Sequence, residues 1–361
     1  MAEYETPEFY PVPFPDGLPT IELQRLSLAR LMNDDVDQAR RLFEICTREG
    51  FFYLDLTDHP KGLKLLHGAH SVHRVGQEVF KVPMAEKYKF EPRASYETGL
   101  LDTGYKELGL DSEGNCNKLE LLNISQAGFF SGLEDYTLPS WLAPQEALFR
   151  STLQTANVIH NVILAILERG LALPTGAFTS LHRLVDRSGD FLRILHYPAP
   201  KDGKPHAHPP TPAHRDAVSV ALLFCWQGGL QITDSTAPVD HTVEEPEDTW
   251  FFVPPLPGHV IVNLGLVMEV LSGNVLRAGK HRVVTPPGPQ GLHDRLSVLI
   301  SARPEENTPM RALTSPKIPQ KNPEDDPSGG EEVLSAKEWG IQQVLKTVHN
   351  IRRQNNEPLS Q

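Results

Sequence analysis

From Phe191 onward the hydrophobic period of the chain becomes that of short strands, and this change constrains the fold more than any other feature. The segments FLRILHY, AVSVALLFC, GLQITD, TWFFVPP, HVIVNL, HRVVT and RLSVLISA follow one another, separated by clusters of Pro, Gly and Asp. Strands that alternate in this way need a second layer over their apolar face. A series of them after a helical section therefore predicts a double-sheet β barrel with helices on one side. The fold class is mainly β with flanking helices.

The helical section lies upstream. Asn33-Asp34-Asp35 can cap a helix over residues 36–49, where Ala39, Leu42, Phe43 and Cys46 recur at helical spacing before Gly50 stops it. Phe51 to Leu54 reads as a buried strand, TIELQRL as a strand-like lead, residues 63–80 as a second helix, and MAEKYKF as a short turn after Pro83. The Gly/Asn/Asp-rich section 99–117 reads as loops, and LELLNIS returns to an extended pattern. The clearest helix lies between Pro144 and Pro174, with Leu148, Ala156, Ile159, Ile163 and Leu167 on one face. One domain is the economical organisation. Residues 1–20 form an extended Pro-rich lead, 21–180 a flank of the same domain, and 181–312 the catalytic core. Residues 313–361 hold a mobile stretch (316–331) and a terminal helix over AKEWGIQQVLKTVHNIRRQ.

Charge and cysteine content exclude several classes of function. The net charge of −12, with no basic stripe, argues against a nucleic-acid partner, because phosphate backbones are bound through Lys and Arg. The opening MAEYETPEFYPVPF has no basic stretch followed by an apolar one, and no apolar run is long enough to span a bilayer. Cys46, Cys116 and Cys225 are odd in number and far apart, as expected for reduced thiols in a cytoplasmic protein. A small molecule is the expected partner, with the oligomeric state open between monomer and weak dimer.

The chemistry is concentrated in His214-Arg215-Asp216. In an extended segment residues two apart face the same side, so one imidazole and one carboxylate converge. His281, opening HRVVT, can supply a third ligand. Two histidines and a carboxylate on one face of an octahedron suit a non-haem iron with open positions for O₂ and a co-substrate, whereas zinc sites are usually tetrahedral. A lone HxD pattern is weak in a chain with 15 histidines. Arg295 and Ser297 strengthen it, since on one strand face they offer a guanidinium fork and a hydroxyl to one carboxylate. Tyr197, in LRILHYP, is a third donor. An inward Arg193 needs a partner, because an unpaired buried charge is costly; the organic substrate and a structural ion pair are equal candidates. Tyr105, Phe130, Phe224 and Val283 complete the candidate substrate contacts, although aromatic residues on alternating strands are more often core. His206 and His208 sit in a Pro-rich loop and read as solvated. His67, His70 and His73 read as a solvated helix face, and His293 as lining the entrance.

HRD…H…RLS preceded by LRILHYP resembles the Fe(II)/2-oxoglutarate-dependent dioxygenases of the isopenicillin-N-synthase-like branch. CTREGFFYLDL, VPMAEKYKF, GYKELG, GGLQI and VPPLPGHVIVNLG extend the resemblance over residues 20–305, and GYKELGLDSEGN is similar to members from fungal secondary metabolism. The resemblance implies a distorted double-stranded β-helix (a jelly roll) with iron held by His214, Asp216 and His281. It also implies that Arg295 and Ser297, helped by Tyr197, hold the distal carboxylate of 2-oxoglutarate. The implied activity oxidises an unactivated C–H bond by hydroxylation, desaturation, cyclisation or ring expansion, with release of succinate and CO₂. Leu195 stands where many relatives have Asn, and Leu266 where NxGD is common. The gap between Asp216 and His281 suggests an enlarged loop at 234–248. The residues alone leave open an oxidase of the same fold that does not use 2-oxoglutarate, an inactive binding protein, and a zinc hydrolase.

Overall fold

Neighbouring side chains of a strand point to opposite faces, so each strand must assign alternate residues to one of two surroundings. The computed structural model, which describes residues 12–90, 103–110, 116–133, 136–233, 249–320 and 333–354, shows how this chain assigns them. The strands in chain order are β1 (Arg25–Ser27), β2 (Phe51–Asp55), β3 (Gly104–Leu110), β4 (Cys116–Ser125), β5 (Phe191–Tyr197), β6 (Thr211–His214), β7 (Val220–Cys225), β8 (Leu230–Thr233), β9 (Trp250–Phe252), β10 (His259–Leu264), β11 (His281–Val283) and β12 (Arg295–Ala302). They form an eight-stranded sheet in the order β1-β2-β10-β7-β12-β5-β4-β3 and a four-stranded sheet in the order β6-β11-β8-β9. Only the β1–β2 pair among these is parallel.

Register decides which residues share a face. Ser297 lies opposite both Cys225 and Leu195, and Leu299 opposite Leu223 and Arg193. Arg193 in turn lies opposite Asn123. One face of the large sheet thus carries Arg295, Ser297, Cys225, Leu195, Tyr197, Arg193 and Asn123. The alternate residues, among them Leu222, Phe224, Ile194, Leu296, Val298 and Ile300, join the main apolar core. Helices Pro60–Val79 and Glu146–Gly170 pack on each other and over this back face, through buried Leu65, Ala69 and Val72 and through Phe149, Ala156, Ile159 and Ile163. Each Leu, Val, Ile or Phe side chain among them contributes roughly 1.5–3 kcal/mol when fully buried, enough in number to fix the sheet's orientation. The front face meets the small sheet instead. Phe51, Tyr53 and Ile261 contact Leu230 and Ile232, while Leu119, Leu121 and Tyr197 contact Val283. The site lies between these two layers.

The expected double-sheet barrel with one helical side is what forms. The expected helices run Val36–Arg48, Pro60–Val79, Glu146–Gly170 and Ala336–Gln354. The first is capped by Asp35, whose Oδ1 accepts the Gln38 N–H at 2.9 Å. The section expected as loops contains a strand: Gly104–Leu110 pairs with β4, with an irregularity between Leu108 and Leu110. Pairing with a ten-residue neighbour outweighs the glycine content there. MAEKYKF is not a turn but a helix, Met84–Lys87, followed by a 3₁₀ turn, Tyr88–Phe90. Leu266–Leu271 forms a helix that the apolar pattern left unassigned. The 234–248 loop and most of the 316–331 stretch lie outside the described residues. No helix among the described residues is long and apolar enough to cross a membrane.

Candidate functional site

The triad comes from two adjacent strands of the small sheet. His214 ends β6, His281 begins β11, and the two are register partners, while Asp216 follows His214 after the strand has ended. One ligand atom from each of the three lies within 4.8 Å of the others. Asp216 Oδ1 is 3.5 Å from His214 Nε2, and Oδ2 is 3.8 Å from His281 Nε2. The opposite ring nitrogens settle the tautomers. His214 Nδ1 sits 2.8 Å from the Pro212 carbonyl and His281 Nδ1 3.2 Å from the Gly279 carbonyl. A carbonyl can only accept, so each Nδ1 carries a proton, and in the neutral ring each Nε2 presents its lone pair on the side of the carboxylate. That donor set, with its outer nitrogens anchored, fits a divalent iron.

Electrostatics agree with this reading. Burial alone would raise the Asp216 carboxyl, but the neighbouring His281 and His214 charges and hydrogen bonds from His214 and Asn263 hold it far below the ordinary carboxylate range. Asn263 Nδ2 donates to Oδ2 at 2.9 Å from the front face of β10. Burial, with the charge of His214 adding, pushes His281 down to about 4. The His281 ring is held edge-on to Phe51, with centroids 5.7 Å apart. A Cβ on Gly279 would overlap that phenyl ring, so glycine is required two residues before His281.

Arg295 is 1% exposed and Ser297 1% exposed, on the same inward face of β12. The guanidinium donates from Nε to the Gly228 carbonyl at 2.8 Å, from Nη1 to Ser297 Oγ at 3.3 Å and from Nη2 to Cys225 Sγ at 3.3 Å. It also lies 5.1 Å from the centroid of the Tyr197 ring. All of these partners are neutral, and no carboxylate of the described residues forms an ion pair with Arg295. A buried cation with neutral neighbours only is costly, and a carboxylate ligand would remove that cost. The residues present therefore fit 2-oxoglutarate as well as iron. The Tyr197 hydroxyl is 3.0 Å from Thr211 Oγ1, so this residue supports the guanidinium through its ring.

Of the candidate substrate contacts, the structure brings Arg193 and Val283 to the pocket. Arg193 stacks on Phe191 at 4.1 Å and donates from Nε to Asn123 Oδ1 at 2.7 Å, and its charge opposes protonation of His214. Tyr105, Phe130 and Phe224 are elsewhere. Tyr105 and Phe224 lie in the core behind the large sheet, and Phe130 packs against that core with Arg150 over its ring. The physical reason is register: Cys225, not Phe224, pairs with Ser297, and Tyr105 pairs with back-facing Leu122. His70 and His73 are also not solvated. Both are buried against Trp226, and burial pushes each down to about 4. His206 is half-buried and His208 and His293 are exposed, as loop residues. Asn263 and Gln290 escaped the sequence reading. The signal for Asn263 was available, as a lone amide at an inward position of HVIVNL.

Residues 189–303 match the 2OG-Fe(II) oxygenase superfamily. The chain is 38% identical to a 2-oxoglutarate-dependent dioxygenase of Aspergillus fumigatus, over 98% of this chain and 92% of the relative. It is 28% identical to another 2-oxoglutarate-dependent dioxygenase, from a Dothideomycetidae species, over 88% of each chain. Among solved structures, a full-length Neurospora crassa protein in complex with alpha-KG and thymine superposes with a TM-score of 0.68 at 18% identity, covering 92% of this chain and 98% of that one. A 2OG-Fe(II) oxygenase family protein from Caulobacter crescentus gives a TM-score of 0.66 at 21% identity, covering 91% and 100%. These structural likenesses carry the fold, which is the jelly roll of such oxygenases.

Proposed function

This chain belongs to the 2OG-Fe(II) oxygenase superfamily and is a 2-oxoglutarate-dependent dioxygenase, and from that premise we propose which residues do its work. His214, Asp216 and His281 hold the iron, and Arg295 and Ser297 hold the distal carboxylate of 2-oxoglutarate. The observation that carries this reading is the buried Arg295, supplied with neutral partners only, on the inner face that looks toward the triad's sheet. When bound, iron and 2-oxoglutarate with O₂ supply the oxidising power for an unactivated C–H bond and release succinate and CO₂.

The protein supplies placement. Pro212 and Gly279 carbonyls hold the Nδ1 side of each imidazole and so turn both Nε2 atoms toward Asp216, and Asn263 orients the carboxylate. Arg295 and Ser297 fix one end of the co-substrate, so its other end reaches the triad in one pose. Packing of Leu119, Leu121, Leu195 and Val283 around Tyr197 keeps water from that pocket. Arg193, whose charge is felt at His214 and Tyr197, contacts a polar or anionic group of a small organic substrate. The fungal relatives support a secondary metabolite as that substrate, and the free cysteines support a cytoplasmic setting.

Succinate release from 2-oxoglutarate by Fe(II)-loaded protein tests this reading, screened against acidic and neutral small molecules. The wild type should form succinate, stimulated by its substrate, and His281→Ala should form none. A His281→Ala protein that still turns over would remove the triad assignment. Unchanged substrate affinity in Arg193→Ala would remove the substrate role of that residue.

A further inference from the structure

The carbonyl that receives Arg295 belongs to Gly228, and the N–H of the same residue is held from the other side. Gly228 N donates to Gln290 Oε1 at 2.8 Å. Gln290 is 1% exposed, and its backbone carbonyl accepts from Gln227 Nε2 at 3.4 Å. Its remaining side-chain group, Nε2, donates at 3.0 Å to the carbonyl of Val12, in the N-terminal lead. One buried amide therefore connects the lead to the residue whose carbonyl accepts from Arg295, by holding the peptide N–H on its other side.

The lead is fastened along this path at further points. Phe14 meets Phe252 edge-on, with centroids 6.0 Å apart. Phe252 exchanges backbone hydrogen bonds with Pro19 and Ile21 at 2.8 and 3.1 Å. Phe14 also lies directly against Gly228, where an added Cβ would come within 2.7 Å of its ring. The next residue, Gly229, has φ +101°, and a Cβ there would meet the Val284 carbonyl at 2.7 Å. The Gly228-Gly229 passage is thus confined between the lead, the strand end at Val284 and the guanidinium. It can shift little without moving Arg295.

We propose that Gln290 is a positioning residue for the co-substrate, which holds Gly228 in place beside Arg295 and couples seating of the N-terminal lead to 2-oxoglutarate binding. This rests on the reading of Arg295 as the carboxylate anchor. Binding at Arg295 and docking of the lead then favour each other, and the coupling acts equally in both directions. Gln290 touches no reacting atom. Its effect falls on affinity for 2-oxoglutarate and not on affinity for the metal.

The test uses full-length protein loaded with Mn(II), which permits equilibrium binding without turnover. Gln290→Met removes both side-chain hydrogen bonds at similar volume, and Phe14→Ala unseats the lead while leaving Gln290 in place. Each should weaken 2-oxoglutarate about tenfold, the worth of one hydrogen bond to a charged site, with Mn(II) affinity unchanged. The double variant should be scarcely weaker than either single one, because both act through one connection. Hydrogen exchange should show the Gly228 amide and residues 12–20 slowed by 2-oxoglutarate in the wild type but not in Gln290→Met. Affinities within twofold of wild type for both variants, or fully multiplicative effects, would overturn the coupling. Arg295→Leu separates the two levels. If it leaves 2-oxoglutarate affinity unchanged, the anchor reading itself fails; if it weakens binding while Gln290→Met and Phe14→Ala do not, only the role of Gln290 fails. Should Gln290→Met not fold, Phe14→Ala with hydrogen exchange decides the matter alone.

Discussion

Two charged sites lie back to back at the same strand ends, and they are built in opposite ways. On the front, Arg295 meets a carbonyl, a hydroxyl and a thiol. Behind, buried Lys87 and Glu120 pair at 2.6 Å, Tyr105 donates to Glu120 at 2.7 Å, and His196 bridges Glu120 at 2.8 Å and Asp294 at 3.0 Å. Asp294 and His196 each precede a pocket residue, Arg295 and Tyr197, so strand alternation alone separates the two clusters. The rear cluster matches two positive groups with two negative ones, because a carboxylate on each ring nitrogen requires His196 to carry both protons. The front cation has no such match. A buried charge answered within the chain serves the fold, and one left to neutral neighbours awaits a ligand.

Changes at the triad should break this contrast most visibly. Asp216→Ala should lower succinate formation by more than about a thousandfold, as loss of a metal ligand does, with little change in thermal stability in the absence of metal. Retained turnover would mean that the front site is not the metal site. The rear site should behave in the reverse sense. Glu120→Leu leaves Lys87 buried without its carboxylate and should cost about 3 kcal/mol of stability. Its 2-oxoglutarate affinity, measured on Mn(II)-loaded protein, should stay within about twofold of wild type, a change too small to reflect a lost contact. Replacing both partners, Lys87→Met with Glu120→Leu, should be milder than Glu120→Leu alone. A single variant no worse than the double would show that the rear charges are not energetically paired.

Arg295→Leu comes next in size. It should weaken 2-oxoglutarate about a hundredfold, since it removes a charge-assisted contact to a carboxylate. Unlike Glu120→Leu it should leave the melting temperature of ligand-free protein unchanged or higher, because it removes a buried cation that the fold does not neutralise. A marked loss of stability would place Arg295 with the structural charges instead.

The grouping of His214, Asp216 and His281 was legible in the sequence, and strand periodicity carried the barrel. It did not carry register. Phe224 and Cys225 are neighbours in one apolar run, and only the pairing of Ser297 with Cys225 determines which of them faces the pocket. Tyr105 and Glu120 lie in stretches of contrasting composition, and the rear cluster forms because β4 pairs with β3 on one side and with β5, which sets Glu120 opposite His196, on the other. His70 and His73 resemble helix surface in sequence because three-residue spacing drifts around a helix. Their burial depends on Trp226, which is distant in sequence. Asn263 and Gln290 act through partners that no local motif identifies.

The smallest effect is expected from His196. Burial alone would lower its pKa, but hydrogen bonds to Asp294 and Glu120 outweigh this and raise it above the ordinary 6.5. Its contribution is therefore complete below pH 6.5 and is lost as pH rises through the folded value. The carboxylates behave in the opposite sense. Hydrogen bonding from His196 lowers Asp294 from 3.8; in Glu120 the opposing effect of burial is overcome by bonds from His196, Lys87 and Tyr105, lowering it from 4.5. Their contributions are present above those ordinary values and fade as pH falls through the lowered ones. The cluster should stabilise most between about pH 4.5 and 6.5, by about 1 kcal/mol for the His196 charge given the exposure of Asp294. Thermal melts of wild type and His196→Gln from pH 4 to 9 should differ most near the middle of that window and converge at the alkaline end. A difference independent of pH would mean that stacking on Phe80, with ring centroids 5.1 Å apart, holds His196 in place and its charge does not.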